Sequence, residues 1–331
     1  MTNDLMRFYR VQDMLEEIFM MPEILLNKSH FLSEEDFYKV LKLLKKPLQE
    51  ELILRDSKDG KWRSFLKENL ENLPHKRKEV AKLILGMRKS NPKRIRNSKM
   101  ILETELPNSE NWLSAALSSH REDPLAAIFT ATESFLETTC EEKDLIVPIK
   151  DLAISKWWDN RSSTKRIDRK IEVYKKYLKK LFEKSNSLMF IDPHLAPSKQ
   201  HYSKFFEILA LAKDRDTENH DIEIEIHRAC TFEEKILTKP DEWKDVFCSL
   251  NEKLKEFNLN VTIFIWDRFH DRYLISDLLG IAMQNGFDAS GKENDKTTWS
   301  RLSRIDRDDV QREFEEGTGI HKLHCKFELP F

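Results

Sequence analysis

Two short apolar runs in the second half of the chain most constrain its fold. Residues 187–191 and 261–266 are mainly apolar, and each is too short for a buried helix. Between them, residues 221–227 alternate like a third strand, whereas 202–211 and 240–257 follow helical spacing. Strands that alternate with helices predict an α/β domain whose mixed sheet is covered by helices on both faces.

The N-terminal part of the chain follows helical spacing instead. Met14, Ile18 and Met21 recur at i, i+4 and i+7, and residues 37–44 carry a second apolar stripe. Further helices are expected over 66–73, 77–87, 112–119 and from 123 to about 137. The sequence therefore predicts an all-helical domain over residues 1–150.

A basic amphipathic helix is predicted over residues 165–184. Lysines and arginines cover most of its faces, and its apolar stripe is formed by Ile167, Ile171, Tyr174, Leu178 and Leu181. We therefore expect a helical domain (1–150), a connecting basic helix (151–186) and a C-terminal mixed-sheet domain (187–331). The overall fold class is then α+β / α/β.

Charge is distributed unevenly along the chain. The net charge is −2, but residues 51–100 hold 15 basic and 6 acidic residues, whereas residues 101–150 hold 3 and 10. Such a change of sign indicates surfaces with different tasks. Within the basic segment 88–99, the candidates for contacts with a nucleic-acid backbone are Lys93, Arg94, Arg96 and Lys99. The alternative for this segment is an ordinary solvated surface.

Composition argues against several classes of protein. No apolar run reaches the roughly 18 to 20 residues that span a bilayer. The first residues lack the basic and apolar regions of a secretory signal, so a cytoplasmic location is expected. The four cysteines are widely separated, so the sequence predicts neither a zinc site nor a disulfide framework.

Polar residues follow both apolar runs. Asp192 and His194 come directly after the first run, and His270 and Arg272 come shortly after the second. Ligands of α/β sheets collect where strands end in loops. Because side chains alternate along an extended segment, His270 and Arg272 share one face. An imidazole beside a cation suits phosphodiester chemistry, and Asp277 is the carboxylate that could orient the histidine or simply end the strand.

The spacing His270-x-Arg272-x4-Asp277 resembles the histidine-lysine-aspartate signature of the phospholipase D superfamily, with arginine in the place of lysine. Residues 188–331 look most like the phospholipase D-like domain at the C-terminus of MIT-domain proteins. The matching stretches are 190–193, 270–272 and 286–288. This resemblance implies a phospholipase D-like fold for somewhat under half of the chain.

The resemblance also implies a chemistry. Members of the superfamily cleave phosphodiesters without a metal or another cofactor, so His270 would be the nucleophile, Arg272 would hold the phosphate and Asp277 would be the family carboxylate. Arginine preserves phosphate binding because it is a permanent, bidentate cation. Two motifs meet in the catalytic members, so one motif per chain implies a homodimer. In the MIT-associated domains the signature is degraded, and the site is thought to bind phosphoinositides or acidic membrane surfaces.

Further residues are candidates for the same site. We expect phosphate contacts from Asp271, His194, Arg301 and Lys326. Supporting roles are expected for Asp192, Trp299 and His324. Structural roles are the alternatives, namely a satisfied loop histidine for His194, a core tryptophan for Trp299 and local ion pairs for Arg301.

Three functions are compatible with these features. The first is a metal-independent phosphodiesterase, favoured as a nuclease by the basic region 51–100, which by analogy would suit a microbial antiviral defence system. The second is a non-catalytic phosphate-binding module that recognises nucleic acid or phosphoinositide. The third is a subunit of a larger complex whose site is a relic.

Overall fold

Two β-sheets with flanking helices make up the protein, so the α+β / α/β class is confirmed. The computed structural model describes residues 13–26, 34–86, 94–104, 108–131, 140–213, 215, 222–230, 240–289 and 292–330. No helix within these ranges is long and apolar enough to cross a membrane.

The first sheet lies in the N-terminal part and is parallel. Among the described residues it has five strands, β1 (Glu16–Met20), β2 (Leu52–Asp56), β3 (Ile95–Asn97), β4 (Ala127–Thr130) and β5 (Ile146–Pro148). Their order across the sheet is β3-β2-β1-β4-β5. The helices that connect and follow them are α1 (Glu23–Leu26), α2 (Glu34–Glu50), α3 (Lys61–Asn69), α4 (His75–Ile84), α5 (Ser109–Glu122), α6 (Cys140–Leu145) and α7 (Lys156–Asp159).

The all-helical N-terminal domain predicted from the sequence is therefore wrong. The stretch around Ile18 forms β1, and β4 occupies the position of the helix expected from residue 123. Both strands are buried throughout, so their residues lack the period-2 alternation of a half-exposed strand. The helices expected near 37–44, 77–87 and 112–119 are present as α2, α4 and α5.

The second sheet is mixed and lies in the C-terminal part. Its order, among the described residues, is β13-β9-β8-β7-β10-β11-β12-β6. The strands are β6 (Thr164–Asp168), β7 (Ser187–Ile191), β8 (Glu223–Ala229), β9 (Val261–Trp266), β10 (Tyr273–Ser276), β11 (Gly280–Met283), β12 (Lys296–Arg301) and β13 (Leu323–Leu329). Strands β7, β8 and β9 are parallel to one another, whereas the other neighbours pair antiparallel.

Four helices accompany the second sheet in the described part of the chain: α8 (Ile171–Lys184), α9 (Phe205–Leu209), α10 (Pro240–Phe257) and α11 (Arg304–Glu313). The strands predicted at 187–191 and 261–266 and the helix at 240–257 are confirmed. The basic helix expected over 165–184 begins only at Ile171. The residues before it form β6, because they pair with β12 at the edge of the sheet.

Each face of the second sheet packs against its own apolar cluster. Phe190, Ile226 and Leu274 face the larger core, which also contains α8, α9 and α10. Ile191 and Ile275 face a smaller cluster that includes Phe314, directly after α11. We call these the α10 face and the α11 face. Most apolar side chains of the first sheet form a separate core, although Met14, Leu15 and Ile53 belong to the larger cluster of the second.

Candidate functional site

Strand register places Arg272 directly opposite Asp192. Strand β10 runs antiparallel to β7, and Tyr273 pairs with Ile191. The next residue pair is therefore Arg272 and Asp192, and Arg272 Nε lies 3.8 Å from Asp192 Oδ1. By strand alternation both side chains project to the α10 face, at the carboxyl end of β7. This is the edge at which parallel α/β sheets bind ligands.

Asp192 is a fully buried carboxylate held by several donors. It accepts hydrogen bonds from the backbone N–H groups of His194 (3.0 Å) and Phe287 (3.1 Å) and from the Tyr202 hydroxyl (3.1 Å). Burial raises the pKa of Asp192, while the two backbone donors and the charge of Arg272 oppose that rise. The carboxylate therefore has a fixed position opposite the Arg272 side chain.

Gly286 contributes to this arrangement because it has no side chain. Its φ is +57°, in the left-handed region that glycine tolerates best. A Cβ at this position would overlap Asp192 Oδ2 and would lie 2.7 Å from Asp192 Cγ and 3.0 Å from Arg272 Cδ. Glycine is therefore the residue that lets the loop approach the carboxylate closely enough for Phe287 to donate to it.

His194 is the histidine that interacts electrostatically with Asp192 and Arg272. Its backbone N–H is fixed on Asp192, while the residue is exposed at the rim. Partial burial of the ring lowers its pKa below 6.5, and the positive charge of Arg272 lowers it further, against the opposing effect of Asp192. At neutral pH the ring is therefore mainly uncharged and keeps a free lone pair.

Arg228 is a member of this cluster that the sequence interpretation missed. It lies near the carboxyl end of β8, is fully buried, and its guanidinium stands 4.9 Å from the Trp243 ring. Its charge also lowers the pKa of His194. The available signal was the alternation of β8, which places Arg228 on the same face as Ile226.

The predicted triad of His270, Arg272 and Asp277 is not brought together. His270 and Asp271 are exposed residues in the loop before β10. Asp277 follows the other end of that strand, where it accepts hydrogen bonds from the Asn186 N–H and from Asn186 Nδ2, both at 3.0 Å. At about 3.3 Å per residue, Asp277 lies on the order of 15 Å from Arg272.

Four further candidate residues lie elsewhere. Trp299 is buried, with its ring 4.7 Å from that of Tyr174. Arg301 is ion-paired to Glu51 at 3.2 Å, and its guanidinium also donates to the Ser162 carbonyl. Lys326 is paired with Glu316 and lies over the Phe264 ring on the α11 face. His324 Nδ1 is 3.6 Å from Asp267.

The basic segment is largely used for contacts within the chain. Arg94 donates to the carbonyls of Leu52 and Leu278, and Arg96 donates to the carbonyl of Lys184. Lys99 is exposed, and Lys93 lies outside the described residues. Among the four predicted backbone contacts, the structure therefore leaves Lys99 at the surface and turns the two arginines inward.

The α11 face of the second sheet carries a cavity of about 320 Å³, lined by Glu225, Phe264 and Phe314 among others. Its carboxylates repel phosphate, and it includes neither Asp192 nor Arg272. Within the described ranges, no group of three or more His, Cys, Asp or Glu side chains is arranged to hold a metal ion.

Replacement of Arg272 by methionine is expected to raise the pKa of His194, because it removes a nearby positive charge. An imidazole NMR titration would measure the change. Arg304→Met on α11 is the matched control and should leave His194 unaffected. An unchanged His194 pKa in Arg272→Met would show that the two side chains are not coupled.

Two solved structures are distantly similar to the chain. No protein-family model and no curated protein matches the chain. A polyphosphate kinase structure from Porphyromonas gingivalis is similar with 10% identity and a TM-score of 0.31, over 46% of this chain and 25% of that one. TrmBL2, an archaeal chromatin protein that binds DNA, is similar with 14% identity and a TM-score of 0.27, over 49% and 55%. The chain thus spans about a quarter and about half of these two proteins, and neither likeness bears on the chemistry of the site.

Proposed function

We propose that this protein is a phosphodiesterase that acts on nucleic acid at the Asp192–Arg272 site. One observation carries the proposal: Arg272 is fixed opposite a buried carboxylate, next to a histidine whose pKa is lowered. A planar guanidinium binds two phosphate oxygens at once. A neutral imidazole supplies the nucleophile that phosphodiester cleavage needs.

The proposed reaction has two steps. Arg272 holds two non-bridging oxygens while the His194 imidazole attacks phosphorus, forming a P–N bond and breaking one P–O ester bond. The leaving alkoxide takes a proton from solvent or from a protonated His270, which lies two residues before Arg272 in sequence. Water then attacks the phosphohistidine, and breaking the P–N bond releases a phosphate monoester and restores the ring. Arg272 acts throughout as a charge and not as a base.

An open rim favours a polymeric phosphodiester over a small enclosed substrate. His194, Lys199 and His201 are exposed in the segment that follows β7, and His270 is exposed two residues before Arg272. This arrangement gives an extended backbone access from solvent. Lys199 adds a second cation to this exposed segment, and its charge also acts on His194.

A labelling experiment tests the proposal. Single-stranded RNA and DNA carrying ³²P at internal phosphates should leave an acid-labile phosphoryl label on the wild-type protein and produce shortened strands, in buffer with EDTA. His194→Ala should lose both label and cleavage, whereas His270→Ala should keep the label. Cleavage that persists in His194→Ala would contradict the assigned nucleophile.

A non-catalytic phosphate-binding module is the second candidate. One observation favours it: in the described part of the chain, no carboxylate is hydrogen-bonded to the ring of His194 or of His270. This function predicts salt-dependent binding of the same strands, with loss of affinity in Arg272→Met and no cleavage. Binding to phosphoinositide vesicles in place of the strands would identify lipid as the ligand.

A further inference from the structure

Four arginines interact with Asp277 at the junction between the two sheets. Arg94 and Arg96 come from the segment that forms β3, Arg307 comes from α11, and Arg215 follows α9 in the chain. Asp277 acts electrostatically on Arg94, Arg96 and Arg215, and its backbone carbonyl accepts a hydrogen bond from Arg307 at 2.9 Å. This cluster is at the opposite end of β10 from Arg272.

Three of the four guanidinium groups have partners within the chain. Arg94 and Arg96 donate to backbone carbonyls, as described above. Arg307 also donates to Asp308, at 2.6 and 3.0 Å. These contacts leave the cluster with a surplus of positive charge. Burial, followed by the charge of Arg307, lowers the pKa of Arg94 to about 9.

Arg215 is the exception. The residue is only 5% exposed, and its Nε, Nη1 and Nη2 are all buried without a hydrogen-bond partner in the structure as described. The nearby carboxylate, Asp277, already accepts two hydrogen bonds from Asn186, and Arg96 lies close enough to repel Arg215. A buried guanidinium without partners is costly, and an anion is the usual remedy in native proteins.

We propose that a small phosphate-bearing anion binds at the buried guanidinium of Arg215, near the junction of the two sheets. A guanidinium group holds two oxygens of one phosphate through paired N–H···O bonds. The depth of Arg215 restricts the ligand to an inorganic phosphate or a terminal phosphate monoester, since a polymer backbone cannot enter. This site is separate from the Asp192–Arg272 site and does not depend on the proposed function.

Thermal unfolding of the full chain tests the proposal, with inorganic phosphate as the probe against chloride at equal ionic strength. Phosphate at about ten times its Kd should raise the Tm of the wild type by roughly 2 °C. The comparison is made in the Arg272→Met background, in which the other proposed phosphate site is removed. There, Arg215→Met should show no such rise. Arg312→Met, at an exposed pair on α11, is the matched control and should keep it.

The order of stabilities without phosphate gives a second, independent readout. Arg215→Met removes a buried guanidinium that has no hydrogen-bond partner, so in chloride it should unfold at the same temperature as the wild type or higher. In phosphate the order should reverse. If Arg215→Met is destabilised or fails to fold in chloride, Arg215 is a structural residue and the proposal is overturned. A phosphate effect that Arg215→Met retains and Arg272→Met loses would assign the anion to the other site and also overturn it.

Discussion

Gly286→Ala is expected to displace the Asp192 carboxylate from its position opposite Arg272 and to destabilise the protein. The new Cβ would overlap the Asp192 carboxylate, which is fully buried and fixed by two backbone donors and a tyrosine. Either Asp192 or the loop must move, and each movement breaks the hydrogen bond from Phe287. Overpacking together with a strained positive φ gives an expected loss of about 3–5 kcal/mol in the free energy of unfolding.

Gly317→Ala is the control that separates the effect of the steric clash from the effect of backbone strain. Gly317 also has a positive φ, +88°, but a Cβ there would meet nothing within 4 Å. It should therefore cost only about 1 kcal/mol and leave phosphate binding and cleavage intact. Urea unfolding and the strand-cleavage assay measure the two effects. Equal losses in the two variants would show that Asp192 does not require glycine at 286.

The second sheet could be predicted from the sequence because its strands differ from its helices in local pattern. The runs 187–191 and 261–266 are apolar and bounded by turns, and α10 carries a long amphipathic repeat. The first sheet was missed because Glu16, Glu17, Arg55 and Asp56 interrupt its apolar strands, although all four are buried. Their burial depends on partners far away in sequence, which local periodicity cannot reveal.

The site could be predicted only in part, because it too depends on contacts between residues that are far apart in sequence. Arg272 stood out by its spacing from His270, but its partner Asp192 is adjacent only through the β7–β10 register. Asp277 shares a sequence motif with Arg272 and yet lies at the far end of the strand, because an extended chain separates residues that a motif places together. Gly286 matters through a tertiary contact alone. The family resemblance located the segment, whereas strand pairing determined which side chains meet.

Arg55→Met is expected to destabilise the protein by about 3–5 kcal/mol, because it leaves a buried carboxylate without its main partner. Arg55 and Glu17 are each 1% exposed at the side chain and are joined at 2.9 Å. Arg55 also pairs with Asp123 at 3.0 Å, and Lys180 of α8 contacts both carboxylates, at 2.9 and 2.5 Å. These four charged residues link α8, which packs on the second sheet, to the first sheet.

The pH dependence of unfolding provides a separate test of this network. Burial alone would raise the pKa of Glu17, but the hydrogen bond and charge of Arg55, together with Lys180, lower it from 4.5 to about 2. A carboxyl whose pKa is lower in the folded state stabilises the fold above pH 4.5, and that contribution is lost as the pH falls from 4.5 towards 2. Glu17→Gln should reduce the change in the free energy of unfolding between pH 4.5 and 2, which urea unfolding at several pH values measures.

Arg312→Met, at an exposed pair with Asp309, is the matched control for Arg55→Met and should change the free energy of unfolding by less than about 0.5 kcal/mol. A loss in Arg55→Met no larger than in Arg312→Met would mean that the buried network does not hold the two sheets together.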